Sequence, residues 1–342
     1  MLQLKYNLIK ILYKNLVLNN YIICNMEDTT DNVKYEIIDN DSETLTLNNK
    51  LDETSTVQAI NEVAFSEKIE SYIKLNNPKL FILTPCYGGL CNVTYMVCLI
   101  STIEFFKRNN FPLQIEFCRN DSLVTRARNN LIARAMNDQA MTHCMFIDSD
   151  ITWNPVDVMK LILDDKPLIG GIYPLKRYNW DKLLKDDMNP YNTNIIQTWL
   201  SKKEQSPLKD FINDQDLIQA KLLKYNINYL DNVLSIDNNI AKVRHVATGF
   251  MMIQRDLIEK MSKAFPSTKY VDDVGFLQGS ENDYAYALFD TGVEDGHFFS
   301  EDWMICDRWT KMGGEIYINV SINLSHSGQE DYKGSFIGSL LA

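Results

Sequence analysis

Cys144-Met145-Phe146-Ile147-Asp148-Ser149-Asp150 is an apolar run that ends in two carboxylates. A short apolar stretch closed by polar residues reads as a strand buried on both faces. Acids just past its end fall where open α/β sheets bind ligands. Side chains two apart on an extended segment point to one side, so Asp148 and Asp150 are expected to face a single ion. Asp39/Asp41 and Asp214/Asp216 have the same spacing, but neither pair follows an apolar strand.

Around this segment the hydrophobic pattern alternates between strand and helix. Leu80–Leu83, ended by Thr84-Pro85, reads as a first strand, and 93–107 as a helix with Val93, Met96, Val97, Ile100 and Ile103 on one face. Leu113–Phe117 is the next strand. Asp121 to Asn137 is a helix with Val124, Ala127, Leu131 and Ala135 inward. After Cys144–Ile147 comes a helix that starts with Asn154 as cap and Pro155 in its first turn, then a strand over Pro167–Ile172. This order implies an α/β fold with a largely parallel sheet and helices on both faces.

Residues 174–243 are more polar, with helical patches at 195–203 and 208–224, and are expected as an insertion lying over the sheet. Val243–Ile253 resumes the core, and Tyr284–Phe289 with Thr291-Gly292 reads as a hairpin. A helix is expected from Glu301 to Met312, capped by Ser300 and stopped at Gly313-Gly314, followed by a strand over Glu315–Val320. The main domain thus spans 78–330, between an extension over 1–77 and a tail over 331–342. A helix is expected over 58–75.

The chain's net charge of −11 argues against a nucleic-acid partner, which needs a basic surface. Part of that charge is local: residues 27–53 hold nine acids against Lys34 and Lys50, and 27–56 is expected not to fold on its own. Lys5, Lys10 and Lys14 break the apolar run over 1–24, so no transmembrane segment is expected. That run is either a membrane-surface helix or an extension upstream of a start at Met26. The seven cysteines show no C-x-x-C pair and read as reduced, buried thiols. Glycans at the Asn319 and Asn323 sequons would obstruct the site described below, so a cytoplasmic location is expected.

Further chemistry-bearing residues lie downstream. Phe299-Ser300-Glu301-Asp302-Trp303 puts two acids in the first turn of a helix, where one of them can serve as a general base or simply cap the helix. His326 sits in a small-residue loop after the last strand, and imidazole with two carboxylates suits Mn²⁺ somewhat better than Mg²⁺. Arg126, Arg128 and Arg134 share a helix with Asn129 and Asn130, and read either as phosphate ligands or as a solvated basic face. Thr84-Pro85-Cys86-Tyr87-Gly88-Gly89 lacks the glycine spacing of a dinucleotide or Walker loop, yet can shape a base-binding turn.

Together these segments resemble GT-A glycosyltransferases, including the Anp1-like mannosyltransferases and related bacterial and large-virus proteins. The resemblance rests on Leu123-Val124-Thr125-Arg126-Ala127-Arg128-Asn129 and Phe146-Ile147-Asp148-Ser149-Asp150-Ile151. Gly170-Gly171-Ile172-Tyr173-Pro174, Thr248-Gly249-Phe250, Ser300-Glu301-Asp302 with Arg308-Trp309, and Leu324-Ser325-His326 extend it. It covers roughly 79–330, with 174–243 least alike. The resemblance implies a GT-A fold and a nucleotide-sugar donor, with Asp148, Asp150 and His326 as ligands of Mn²⁺ or Mg²⁺. It also implies Asp302 as catalytic acid of the Glu301-Asp302 pair, and Thr84, Pro85, Arg126, Arg128, Asp148 and Gly249 around the donor. Cys306-Asp307-Arg308-Trp309 lacks the glutamine of the Gln-x-x-Arg-Trp motif of processive synthases.

The expected reaction is transfer of one sugar from a nucleotide-diphosphate donor to a hydroxyl of a glycan or protein acceptor. A sugar nucleotidyltransferase is the rival enzyme, although Tyr87-Gly88-Gly89-Leu90 lacks the basic residues its loop usually carries. A catalytically inactive glycan-binding protein is the non-enzymatic alternative.

Overall fold

The computed structural model describes residues 35–38, 44–49, 62–183, 196, 200, 214–231 and 233–329. Ten strands form the main sheet: β1 (Tyr35–Ile38), β2 (Thr44–Asn49), β3 (Leu80–Cys86), β4 (Leu113–Arg119), β5 (His143–Ile147), β6 (Leu168–Gly170), β7 (Val233–Asp237), β8 (Ile240–Val243), β9 (Phe250–Gln254) and β10 (Ile316–Asn319). Their spatial order is β1-β2-β7-β8-β10-β6-β9-β5-β3-β4. Seven run in one direction, and β1, β8 and β9 run in the other, so the fold is α/β with a mostly parallel sheet. Seven helices accompany it among the described residues: α1 (Glu62–Asn76), α2 (Val93–Arg108), α3 (Val124–Asn137), α4 (Pro155–Leu163), α5 (Asp214–Leu222), α6 (Arg255–Ala264) and α7 (Glu301–Lys311).

The central strands are apolar throughout because both of their faces are covered. On β5, Cys144 and Phe146 join the core layer on one face and Met145 and Ile147 the layer on the other. Phe81 and Leu83 alternate with Leu80 and Ile82 in the same way on β3, as do Met251 and Ile253 with Phe250 and Met252 on β9. Leu131 and Ile132 of α3, Leu257 and Ile258 of α6 and Ile305 of α7 fill the first layer. Leu99 and Phe106 of α2, Met159 and Ile162 of α4 and Ile69 of α1 fill the second.

Helix α2 is placed as its period predicts but turned the other way. Tyr95, Cys98, Leu99, Thr102 and Phe106 are buried, while the stripe Val93, Met96, Val97, Ile100 and Ile103 faces outward. Both faces are apolar enough to be buried, and Tyr95 wins because its ring packs edge-on to Trp153 and its hydroxyl reaches Thr84. On α3, Ala127, Leu131 and Ala135 are inward as expected, but Val124 is largely exposed.

Other segments differ from the sequence expectation. The acidic stretch 27–56 contributes β1 and β2, whose Thr44-Leu45-Thr46-Leu47 alternation is a strand pattern that charge composition obscures. The end of 174–243 is part of the sheet rather than a cover, because β7 pairs with β2 and β8 with β10. Its beginning, Pro174–Tyr178, pairs with Leu223–Tyr225. The hairpin lies later than Tyr284–Phe289: Gly292–Glu294 pairs with His297–Phe299 around Asp295-Gly296, both at positive φ (51° and 79°) as a tight hairpin turn requires. The expected features at 1–25 and 331–342 lie outside the described residues, as does most of the patch at 195–203. No described helix is long and apolar enough to cross a membrane.

Candidate functional site

At the carboxyl ends of β3, β4 and β5 a groove of about 710 Å³ opens between the starts of α2 and α3. Pro85, Cys86, Tyr87, Cys91 and Asn92 line one wall, Asp121, Ser122, Val124 and Arg128 the other, and Asp148, Ser149 and Asp150 the end. The site falls where parallel strands in open α/β sheets present ligand-binding loops.

The two aspartates do not point one way. The chain turns directly after β5, with the Ile151 amide donating to the Asp148 carbonyl at 3.0 Å, so the extended geometry that would align them is lost. Asp148 turns inward to Arg128, whose Nη1 lies 3.1 Å from its Oδ1, an ion-pair contact without the alignment of a hydrogen bond. Arg128 Nη2 donates to the other Asp148 oxygen at 3.4 Å. Asp150 turns outward: Lys176 Nζ is 2.5 Å from Oδ2, and His326 Nε2 is 3.5 Å from Oδ1. Burial opposes ionisation of Asp150, but His326 and Lys176 outweigh it and hold its pKa down to about 2.

Arg128 ties the site to α7. Its guanidinium is almost wholly buried over the Phe146 ring, and its Nε donates to Glu301 at 3.4 Å. Burial works against that charge, yet Asp148 and Glu301 prevail and raise the pKa above the usual arginine value. Asp302 is used differently: it accepts from the Ser300 hydroxyl and from the Trp303 amide (3.0 Å), fastening the start of α7. Of the two acids, only Glu301 is linked to Asp148 through Arg128.

His326 arrives on a two-residue strand, Ser325–His326, paired with Ile151–Thr152 just beyond the aspartates. Its Nδ1 lies 2.9 Å from the Pro174 carbonyl, its ring packs edge-on to Tyr173, and the adjoining Ser327 amide donates to the Asp150 carbonyl at 2.8 Å. Gly249 supports the same corner. Its carbonyl accepts from the Asp148 amide at 3.0 Å, and a Cβ there would come within 2.7 Å of the Tyr173 hydroxyl oxygen.

Other expected residues fall elsewhere. Thr84 is fully buried with its hydroxyl 2.5 Å from that of Tyr95, so only Pro85 of that pair borders the groove. Arg126 makes a two-pronged pair with Asp121 (2.8 and 2.9 Å), on the opposite side of α3 from Arg128. Arg134 is engaged by Glu116, Glu281 and the Phe276 carbonyl, far along the helix. Asn129 serves the core, bracketing the Phe289 backbone at 2.7 and 2.9 Å. Lys176 was not anticipated. Its signal is its place two residues after Pro174, at the end of the Gly170–Pro174 block.

Among the described residues, no three His, Cys, Asp or Glu side chains stand close enough to cage a metal ion. The donor chemistry fits a divalent ion in part. A carbonyl only accepts, so His326 Nδ1 carries a proton, which leaves Nε2, beside Asp150 Oδ1, as the ring nitrogen that a metal ion would use. Orientation of a ligating imidazole by a carbonyl behind it is usual in metal sites. Asp148 adjoins this pair but is turned to Arg128.

No protein-family model matches the chain, and no curated protein does. Among solved structures it is similar to A197 from STIV at 12% identity and a TM-score of 0.37, over 73% of this chain and 86% of that chain, which is too slight to define a shared fold.

Proposed function

We propose that this protein is a metal-dependent glycosyltransferase of the GT-A type, moving one sugar from a nucleotide-diphosphate donor to a hydroxyl of a glycan or protein acceptor. The observation that carries the reading is the groove at the strand ends that Arg128, Asp148 and Asp150 line, with Arg128 paired to Asp148 and His326 reaching Asp150 from a third segment. Such a mixture of anionic metal ligands and a buried cation suits a diphosphate, which needs both a bridging ion and fixed positive charge.

Mn²⁺ or Mg²⁺ would be held by Asp150 and His326 with Asp148 adjoining, and when bound supplies charge neutralisation for the departing diphosphate. The protein's own groups do the rest. Arg128, bridging Asp148 and Glu301, positions both acids and offers positive charge at the groove wall. The turn after β3, from Pro85 to Tyr87, borders the same space and can receive the nucleotide base. Glu301, or Asp302 beside it, orients the acceptor hydroxyl and takes its proton. Their places differ: Glu301 faces Arg128, while Asp302 also secures its helix.

Titrating a panel of nucleotide-diphosphate sugars with and without Mn²⁺ tests this proposal. Binding of one sugar nucleotide that requires Mn²⁺ and is lost in Asp150→Asn is the expected result. Metal-independent binding, or none across the panel, would count against it. A nucleotidyltransferase would instead release pyrophosphate from a nucleoside triphosphate and a sugar phosphate.

A further inference from the structure

At the mouth of the groove the Cys86 and Cys91 sulfurs lie 3.3 Å apart, the one thiol–thiol contact among the described residues. Cys86 ends β3 and is buried, whereas Cys91 is half-buried, and both line the groove. The chain between them turns through Gly88 and Gly89 at φ 65° and 69°, which lets two residues so close in sequence bring their side chains together. A disulfide needs its sulfurs at about 2.0 Å, so closure asks for a movement of only about an ångström. The remaining described cysteines, Cys98, Cys118, Cys144 and Cys306, are buried; Cys118 lines the same groove, but no thiol–thiol contact like that of Cys86 and Cys91 joins it or the others.

A second observation connects this pair to the acids. Asn92, the residue after Cys91, donates its backbone N–H to the Ser149 carbonyl at 2.9 Å. Ser149 is the residue between Asp148 and Asp150. The other end of the loop is anchored, because the Cys86 carbonyl accepts from the Asn120 amide at 3.1 Å. Drawing Cys91 toward a fixed Cys86 therefore pulls on Asn92, and through it on the turn that carries both carboxylates.

We propose that Cys86 and Cys91 form a reversible disulfide across the groove mouth, and that its closure shifts the Asp148–Asp150 turn through Asn92 and Ser149. With hydrogen peroxide as oxidant, the Cys91 thiolate attacks one peroxide oxygen and hydroxide leaves, giving a sulfenic acid. The Cys86 sulfur then attacks the Cys91 sulfur, and the sulfenic oxygen departs as water with the Cys86 proton. Two thiols and one peroxide give one disulfide and two waters. A dithiol reductant reverses the linkage.

The linkage is independent of the proposed transferase activity, and so is its test. Full-length protein treated with peroxide, then alkylated under denaturing conditions and digested with chymotrypsin, separates the two cysteines by cleavage after Tyr87. A joined pair of peptides lighter by two hydrogens is expected, absent after dithiothreitol and in Cys91→Ser. Hydrogen exchange of the amides at 149–152 is expected to change about threefold or more between the oxidised and reduced protein. Alkylation of both cysteines after peroxide overturns the proposal, and a linkage that leaves exchange at 149–152 unchanged overturns the coupling.

Discussion

His326 Nε2 lies 3.5 Å from Asp150 Oδ1, while Nδ1 of the same ring is committed to the Pro174 carbonyl at 2.9 Å. Nε2 is therefore the ring nitrogen open to a cation, and it stands beside a carboxylate oxygen that could share the ion. His326→Ala is predicted to weaken Mn²⁺ binding by about 10- to 100-fold, the range typical for loss of a ligand or its support. Calorimetric titration of Mn²⁺ in the presence of nucleotide measures this. Unchanged affinity removes His326 from the ligand set.

Arg128 is buried and meets both Asp148, which is about a third exposed at the groove, and the more buried Glu301. Removing one member of a buried charge network costs about 3–5 kcal/mol because the remaining charges lose their compensation. Arg128→Met is expected to fall short of that loss, because Asp148 borders the groove and water can take up its charge, and Arg128→Met combined with Asp148→Asn to recover part of it. Urea denaturation of the single and double variants gives the coupling. Strict additivity would show that the pair acts independently.

Gly249→Ala introduces a Cβ about where the Tyr173 ring lies, with ring atoms within 2.9 Å. Tyr173 also packs on His326, so its displacement reaches the proposed metal-ligand corner. A stability loss of about 1–3 kcal/mol is expected for such overpacking, together with weaker nucleotide-sugar binding. A variant with wild-type stability and binding would mean that the corner yields freely.

His143 and His245 supply a pH dependence away from the groove. Burial is the main cause in both and pushes each pKa down to about 4, with Arg244 adding to the effect at His245. The unfolded chain takes up these protons near pH 6.5, before the folded protein does. Their contribution to stability is therefore complete above about pH 6.5 and is lost as pH falls toward 4. For His143, which is 5% exposed, the loss is on the order of 2–3 kcal/mol. Urea denaturation at pH 7 and pH 4.5 should show the decline, reduced in His143→Asn. An equal decline in that variant would contradict the assignment.

Much of the sheet is legible in the residues themselves. Leu80–Leu83 and Cys144–Ile147 are apolar on both faces, as suits strands covered on two sides, while Leu113–Phe117 alternates with Gln114 and Glu116 and forms the edge strand β4. The orientation of α2 is not legible, because its exposed stripe and its buried face are both apolar, and packing at Tyr95 and Trp153 decides between them. At the site, a helix carrying Arg126 and Arg128 shows that one arginine faces each way but not which meets the acids. The divergence of Asp148 and Asp150 depends on a turn after β5 that no single residue type demands. The contact of Lys176 with Asp150 and that of Cys86 with Cys91 follow only once distant or looping segments are brought together, although the place of Lys176 just after Pro174 hints at the first.

The most direct test of the central claim is calorimetric titration of nucleotide-diphosphate sugars into the purified protein with Mn²⁺, then with chelator, for the wild type and Asp150→Asn. The account predicts saturable binding of a sugar nucleotide that disappears with chelator and falls by an order of magnitude or more in the variant. Binding that is indifferent to both chelator and Asp150→Asn would contradict it.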